Sequence, residues 1–149
     1  MRAQSKHIDY IFVYGSLRRD AKNDVFEEVK SHLHYVGVGS FPGLLFDLGE
    51  YPGAILADVN SPSKVKGELY AIEDNRNSVL RTLDEYEEYF HKNLSKSLFL
   101  RKRVDVTLRN GKEVNSWVYL YNKKLLHSKP VKRIPSGDYL RFIKSKNHA

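Results

Sequence analysis

The stretch that decides the fold is "YIFVYGSL", residues 10–17. Its first five residues are all apolar or aromatic, so both faces of an extended strand would be apolar, because successive side chains point to opposite faces. A strand of this kind is covered on both sides. The pattern therefore predicts a buried strand that opens into a glycine–serine turn. That turn is either a plain connection or a place where the backbone is exposed to hold a ligand.

Further strands are predicted on the C-terminal side of this stretch. Short β-like runs, separated by glycine and proline, cover residues 35–41, 44–48, 54–59 and 65–72. Two longer runs, 98–108 and 114–121, flank Asn110-Gly111, a dipeptide typical of a tight β-hairpin. Many short strands with few helices indicate a mixed architecture rather than alternating βαβ units.

Two main helices are expected among these strands. Asp24-Val-Phe-Glu27 has the spacing of a capping box, and a second helix is predicted over residues 77–89. The C-terminal "IPSGDYLRFI" predicts a short helical turn capped by serine or aspartate. With 149 residues, the chain is expected to form one domain, 1–149, of the α+β class, with a small mixed sheet curled towards a barrel.

Composition narrows the classes of function. Without cysteine, the chain has neither disulfides nor a thiolate nucleophile, which fits a cytoplasmic protein. The polar N-terminus has no signal-peptide core, and no apolar run approaches the roughly 18 residues of a membrane span. The net charge is +7, concentrated in what we expect to be a partly ordered basic tail from about residue 123. Its basic stretch "KKLLHSKPVKR", residues 123–133, has no aromatic residues interleaved for base stacking, so no nucleic-acid partner is expected.

One carboxylate of the second helix falls on its apolar face. Glu87 lies four residues after Leu83 and seven after Leu80, so a 3.6-residue period directs it where the leucines point, with Asp84 at the border of the stripe. A carboxylate directed inward must be hydrogen-bonded, charge-paired or exposed in a cavity. Glu87 either serves such a site or bends out to water at a frayed helix end.

Two motifs in this order resemble the γ-glutamylcyclotransferase family, which includes γ-glutamylamine cyclotransferases, small bacterial homologues and plant AIG2-like proteins. They are Tyr14-Gly-Ser-Leu17 after the first strand and Leu83-Asp-x-x-Glu87 after Gly67-Glu-Leu-Tyr70. "YPGAI" at 51–55 and "WVYLYN" at 117–122 extend the resemblance. It implies a small mixed β-barrel with helices around it. It also implies an enzyme that cyclises a γ-glutamyl amine or amino acid to 5-oxoproline.

The resemblance also implies a division of roles in the site. The glutamyl group would bind at Tyr14, Gly15, Ser16 and Leu17, and Glu87 would be the catalytic acid/base. The amine of the substrate attacks its own γ-carbonyl, so no protein nucleophile, metal or cofactor is expected, and the partner is a small γ-glutamyl compound. Backbone N–H groups of the turn could anchor the substrate's carboxylate or hold the developing oxyanion.

Two departures from the family pattern leave an alternative open. Glu88 stands where the family often has glycine, and it would either raise the proton affinity of Glu87 or face solvent. Phe99 replaces a tyrosine after a longer linker, 89–98, which would mean altered specificity or a non-catalytic module that binds a small anion. Glu68 is the second-choice carboxylate, or else a structural partner of an arginine. Tyr119 and Tyr121 are candidates for the pocket wall.

Overall fold

The computed structural model describes residues 8–15, 24–127 and 131–146. Its strands are β1 (Asp9–Val13), β2 (Leu33–Asp47), β3 (Pro52–Leu56), β4 (Lys64–Ile72), β5 (Phe99–Leu108), β6 (Glu113–Tyr121) and β7 (Lys132–Arg133). Its α-helices are α1 (Asp24–Val29), α2 (Arg76–Tyr86) and α3 (Tyr139–Lys146). Short 3₁₀ turns lie at Lys30–His32, Leu94–Lys96 and Lys123–His127.

Five of the strands close into a barrel. The order is β2-β4-β1-β6-β5, and β5 pairs back onto β2 at Gly39–Leu108 and Ser40–Thr107. The β1–β6 pair is parallel and the other four pairs are antiparallel. The predicted α+β class with a barrel-like mixed sheet is therefore confirmed.

The longest strand, β2, joins the barrel to a second layer. Two separate strands were predicted on either side of Pro42-Gly43, but the chain continues through them as one strand of 15 residues. Pro42 is tolerated because it pairs with Lys64, the first residue of β4, so its missing N–H lies at the end of that ladder. Beyond this point β2 pairs with β3 and β7 instead of β4.

The first strand separates two hydrophobic clusters, as its two apolar faces predicted. Phe12 and Tyr14 belong to the cluster that fills the barrel. Ile11 and Val13 belong to a second cluster, which also contains the buried face of α2. That face consists of Val79, Leu80 and Leu83. The strand is thus covered by the barrel core on one side and by α2 on the other.

The basic C-terminal segment contributes to the core, which its charge pattern did not predict. Ile134, Tyr139 and Leu140 are buried in the described part of this segment. Asp138 caps α3, because its carboxylate accepts from the backbone N–H of Arg141 at 3.3 Å. In the described ranges, no helix is both long enough and apolar enough to cross a membrane.

Candidate active site

A cavity of about 210 Å³ opens beside the end of β1, between the end of α2 and the start of β5. Segments far apart in sequence contribute to it, and most of the side chains are aromatic or apolar. The described residues that line it are Phe12, Val13, Tyr14, Gly15, Tyr51, Pro52, Tyr86, Glu87, Glu88, Leu98, Phe99 and Tyr119. A mainly apolar cavity with a few polar groups is typical of a small-molecule site.

The end of α2 determines where Glu87 lies. The helix was predicted to run to residue 89, but it ends at Tyr86, and Glu87 is its C-cap. The N–H of Tyr89 donates to the carbonyl of Asp84 at 2.9 Å, and that of Glu88 donates to the carbonyl of Glu85 at 3.2 Å. This is the Schellman arrangement, which satisfies the last carbonyls of a helix. Glu88 has φ of +54°, the left-handed conformation that this arrangement requires.

The Glu87 carboxylate is directed into the cavity rather than frayed into solvent. The residue is half-buried and lines the cavity, as the helical period predicted. Burial raises the pKa of its carboxyl from 4.5 to about 8, and no charge or hydrogen bond from the described residues offsets this effect. Burial alone therefore accounts for the shift, and Glu88, which is exposed, does not contribute to it.

Asp84, one turn before Glu87, anchors the end of α2 to the barrel. Its carboxylate accepts from the hydroxyl of Tyr119 at 2.6 Å and forms an ion pair with Arg101 at 3.1 Å. The Arg101 guanidinium lies 4.5 Å from the centre of the Trp117 ring. Because Tyr119 and Trp117 belong to β6 and Arg101 to β5, this network fixes the last turn of the helix against two strands.

The hydroxyl of Tyr14 is committed to structural hydrogen bonds. It donates to the carbonyl of Tyr119 at 2.5 Å and accepts from the N–H of Ala54 at 3.1 Å. Burial, and secondarily the charge of Glu87, raise the pKa of Tyr14 far above its usual range, so it stays protonated. Tyr14 lines the cavity, while its hydroxyl ties β1 to β6 and β3.

Gly15 lines the cavity at the point where the chain leaves β1. A Cβ atom at this position would lie 2.7 Å from Cγ of Pro52, so a side chain could not be accommodated without displacing that ring. The glycine is thus required by the close approach of residue 52. Ser16 and Leu17, the other two residues of the predicted binding turn, lie outside the described residues.

The remaining predicted residues divide between the cavity wall and its surroundings. Tyr119 and Phe99 line the cavity. Tyr121 is not among the described lining residues, although its ring packs on Phe99 with centroids 5.6 Å apart. Glu68 is also not among them; it is buried in β4 and accepts from the hydroxyl of Tyr70 at 3.1 Å.

Sequence reasoning assigned no site role to several wall residues. They are Phe12, Val13, Tyr51, Pro52, Tyr86 and Leu98. The "YPGAI" match contained a signal for Tyr51 and Pro52, since it lay in the resemblance without an assigned function. Tyr86 follows Leu83 by three residues, so its spacing is that of the apolar stripe of the second helix, and the other side chains have no chemical feature that separates a cavity wall from a core.

The linker 89–98 forms one wall and is held by its own hydrogen bonds. Ser97 is completely buried, and its hydroxyl accepts from the N–H of Phe90 at 2.8 Å. The Asn122 side chain donates to the Ser97 carbonyl at 2.9 Å, and the N–H of Leu98 donates to the carbonyl of Glu88 at 3.0 Å. These contacts position Leu98 and the start of β5 against the cavity.

Comparisons with known proteins identify relatives of this arrangement. A curated relative from Niallia circulans, named γ-L-glutamyl-butirosin B γ-glutamyl cyclotransferase, is 32% identical over 114 residues, covering 76% of this chain and 67% of the relative. The crystal structure of a mouse AIG2-like protein has a TM-score of 0.61 and 26% identity, covering 81% of this chain and 84% of that chain.

A second solved structure shares the fold over nearly the whole chain. YkqA from Bacillus subtilis has a TM-score of 0.69 at 21% identity, and the match covers 96% of this chain but only 44% of YkqA. The family model described as gamma-glutamyl cyclotransferase, AIG2-like, matches residues 11–141, a span that includes the last three residues of β1, all of α2 and every described wall residue of the cavity. The chain therefore belongs to the γ-glutamyl cyclotransferase, AIG2-like family.

Proposed function

We propose that this protein is a γ-glutamyl cyclotransferase that converts a γ-glutamyl amine or γ-glutamyl amino acid to 5-oxoproline and the free amine, with Glu87 moving the proton. The observation that carries this proposal is a half-buried carboxyl with a pKa of about 8 in the same cavity as Gly15. Membership of the cyclotransferase family supports an enzyme rather than a module that only binds a small anion.

The reaction is an intramolecular aminolysis. The α-amine nitrogen attacks the γ-carbonyl carbon, and the new C–N bond closes the five-membered ring. The bond from that carbon to the departing nitrogen then breaks, and the departing nitrogen takes up a proton. Holding the substrate in a bent conformation favours ring closure, since well-oriented intramolecular reactions reach effective molarities of order 10⁵–10⁸ M.

Glu87 would act first as a base and then as an acid. An α-ammonium cannot attack, so the carboxylate removes one proton, and the resulting carboxylic acid returns it to the departing nitrogen. The attacking nitrogen releases a second proton when the new C–N bond forms, and the freed amine takes up this proton to leave as an ammonium. A group does this best when its pKa lies near the working pH. The cavity supplies this condition, because burial raises the pKa of Glu87 to about 8.

The substrate's α-carboxylate would be anchored where the chain leaves β1. Backbone N–H groups of Gly15, Ser16 and Leu17 are the proposed donors, and the Ser16 hydroxyl would be a further one. The hydroxyls of Tyr14 and Tyr119 have protein partners at 2.5 Å and 2.6 Å. We therefore assign these two tyrosines to shaping the wall, rather than to binding the glutamyl group through their hydroxyls.

The experiment that tests this function measures 5-oxoproline release from a panel of γ-glutamyl amines and γ-glutamyl amino acids. We expect turnover by the wild-type protein and a loss of about 10²–10⁴-fold in kcat for Glu87→Gln, the usual contribution of a general acid–base group. Glu85→Gln is the matched control, because Glu85 is exposed on the same helix and does not line the cavity. Normal turnover by Glu87→Gln would refute the assigned role.

A further inference from the structure

The outer part of the cavity is chemically different from its interior. Tyr51, Tyr86 and Glu88 all line the cavity, and we call these three residues the rim. Glu88 is exposed, Tyr86 is 38% exposed, and Tyr51 is partly exposed, whereas Phe12, Tyr14 and Phe99 are buried. The rim is where the part of a substrate beyond the reacting amide would lie, if Glu87 and Gly15 hold the glutamyl group.

The rim carries negative charge. Burial raises the pKa of the Tyr51 hydroxyl, and the charges of Tyr121, Glu88, Glu50 and Glu87 raise it further, in that order. Three carboxyl groups therefore lie close enough to this ring to act on it. Because burial raises the pKa of Glu87 to about 8, the negative charge near neutral pH comes from the exposed Glu88 and Glu50. None of the described residues that line the cavity is a lysine, arginine or histidine. A cation is favoured at such a rim and an anion is disfavoured.

The turn that holds Glu88 does not itself require a carboxylate. The residue has φ of +54°, a conformation that glycine adopts without strain and other residues adopt at a cost. Glycine would therefore close the end of α2 at least as well. The glutamate adds a charged side chain at the rim in exchange for a less favourable backbone.

We propose that the rim selects γ-glutamyl compounds whose departing amine carries a second positive charge, as a diamine does. This inference rests on the proposed function, since it assigns the departing group of that reaction. Glu88 would pair with the distal ammonium, and the rings of Tyr51 and Tyr86 would face it, as aromatic rings do in many ammonium sites. A departing amino acid would bring its own carboxylate towards Glu88 and be selected against.

Three γ-amides of glutamate that differ in the charge at the far end of the amide substituent test this inference. They are the 4-aminobutyl amide, which is cationic, the butyl amide, which is neutral, and the 3-carboxypropyl amide, which is anionic. For the wild-type protein we expect kcat/KM to decrease in that order, with the cationic substrate preferred over the anionic one by about tenfold or more at low salt. Equal values, or a preference for the anionic amide, would overturn the inference.

Glu88→Gln separates the charge from the backbone, because it keeps the side-chain length and the left-handed position. We expect kcat/KM to fall about fivefold for the cationic amide and to rise by a similar factor for the anionic one, which is the scale of one exposed charge pair. Glu85→Gln, which makes the same charge change outside the cavity, should leave the order of preference intact. If both variants changed selectivity alike, net charge rather than the rim would be responsible.

Binding measurements keep this inference separable from the proposed reaction. Calorimetric titration of the three amides into the Glu87→Gln variant reports selectivity without turnover. Turnover without a charge preference would refute the selectivity proposed for the rim and leave the proposed cyclotransferase reaction intact. Tighter binding of the cationic amide, with no 5-oxoproline from the wild-type protein, would support the rim and refute the reaction. If the wild-type protein released no 5-oxoproline and the variant bound the three amides equally, both proposals would be refuted.

Discussion

At the scale of single residues, burial of Glu87 links activity to stability. Because its pKa in the folded protein is about 8, above its ordinary 4.5, its contribution to stability is complete below about pH 4.5 and is lost as pH rises through about 8. We expect the unfolding free energy of Glu87→Gln, relative to wild type, to increase by about 4 kcal/mol between about pH 5 and about pH 8.5. Urea denaturation at the two pH values measures this difference.

The control for this pH dependence is again Glu85→Gln. Its exposed side chain should give a difference from wild type that stays within about 0.5 kcal/mol across the same range. If Glu87→Gln behaved in the same way, the Glu87 carboxyl would be solvated in the folded protein. The cavity would then hold no group with a raised pKa suited to proton transfer.

Glu88 gives a second prediction for single residues. Its left-handed φ of +54° favours glycine, so Glu88→Gly should be more stable than Glu88→Ala by about 1 kcal/mol, even though neither variant has the carboxylate. Comparing the two variants removes the effect of charge from the result. Thermal and urea unfolding measure the difference, and a more stable alanine variant would contradict the turn geometry.

At the scale of elements, the linker 89–98 should behave as an ordered wall of the cavity. Ser97→Ala removes the hydroxyl that accepts from the N–H of Phe90, so that N–H loses its partner in a partly buried position. We expect a loss of about 1–3 kcal/mol in stability and faster amide exchange at residue 90. Hydrogen exchange followed by NMR resolves this position.

Ser95→Ala is the control variant in the same linker. The Ser95 hydroxyl donates to the exposed Asn93 side chain at 3.0 Å, so its removal should change stability by less than about 0.5 kcal/mol. If the two variants gave equal effects, the buried serine would not be what orders the wall.

For α2, the sequence predicted the buried face accurately but not the C-terminal end. The apolar positions Val79, Leu80 and Leu83 specified the buried face of α2 and the direction of Glu87. The predicted end at residue 89 was wrong because apolar periodicity continues through Tyr86 and Tyr89, while the stop is made by backbone hydrogen bonds. Glycine commonly marks such a stop, and Glu88 stands in its place.

At the scale of the whole molecule, the local sequence pattern predicted the strands and helices better than it predicted the strand pairing that closes the barrel. The two apolar faces of β1 specified its position between two clusters. The β2–β5 pairing that closes the barrel joins Gly39 to Leu108, and no short-range pattern carries a contact of that separation. The barrel was inferred from the number of short strands and from the family resemblance.

The residues of the cavity also fall into two groups: those that the local sequence singles out and those that only the folded chain brings to the cavity. Glu87 and the turn at Gly15 could be singled out because a carboxylate on an apolar face and a glycine after a buried strand are locally unfavourable choices. Tyr51 and Leu98 could not, because each reaches the cavity only when the β2–β3 connection and the linker 89–98 fold against the barrel. A wall residue differs from a core residue only by the empty space beside it.

Proton transfer by Glu87 is tested most directly by the pH dependence of kcat/KM for 5-oxoproline release by the wild-type protein, since this parameter reports the ionisation of the free enzyme. With a cationic and a neutral γ-glutamyl amide, we expect kcat/KM to rise with pH and to have its midpoint at about 8, the pKa of Glu87, for both substrates. The residual kcat/KM of Glu87→Gln should not show this rise with pH. A midpoint near 4.5, or the same rise of kcat/KM with pH in the variant, would contradict proton transfer by a buried Glu87.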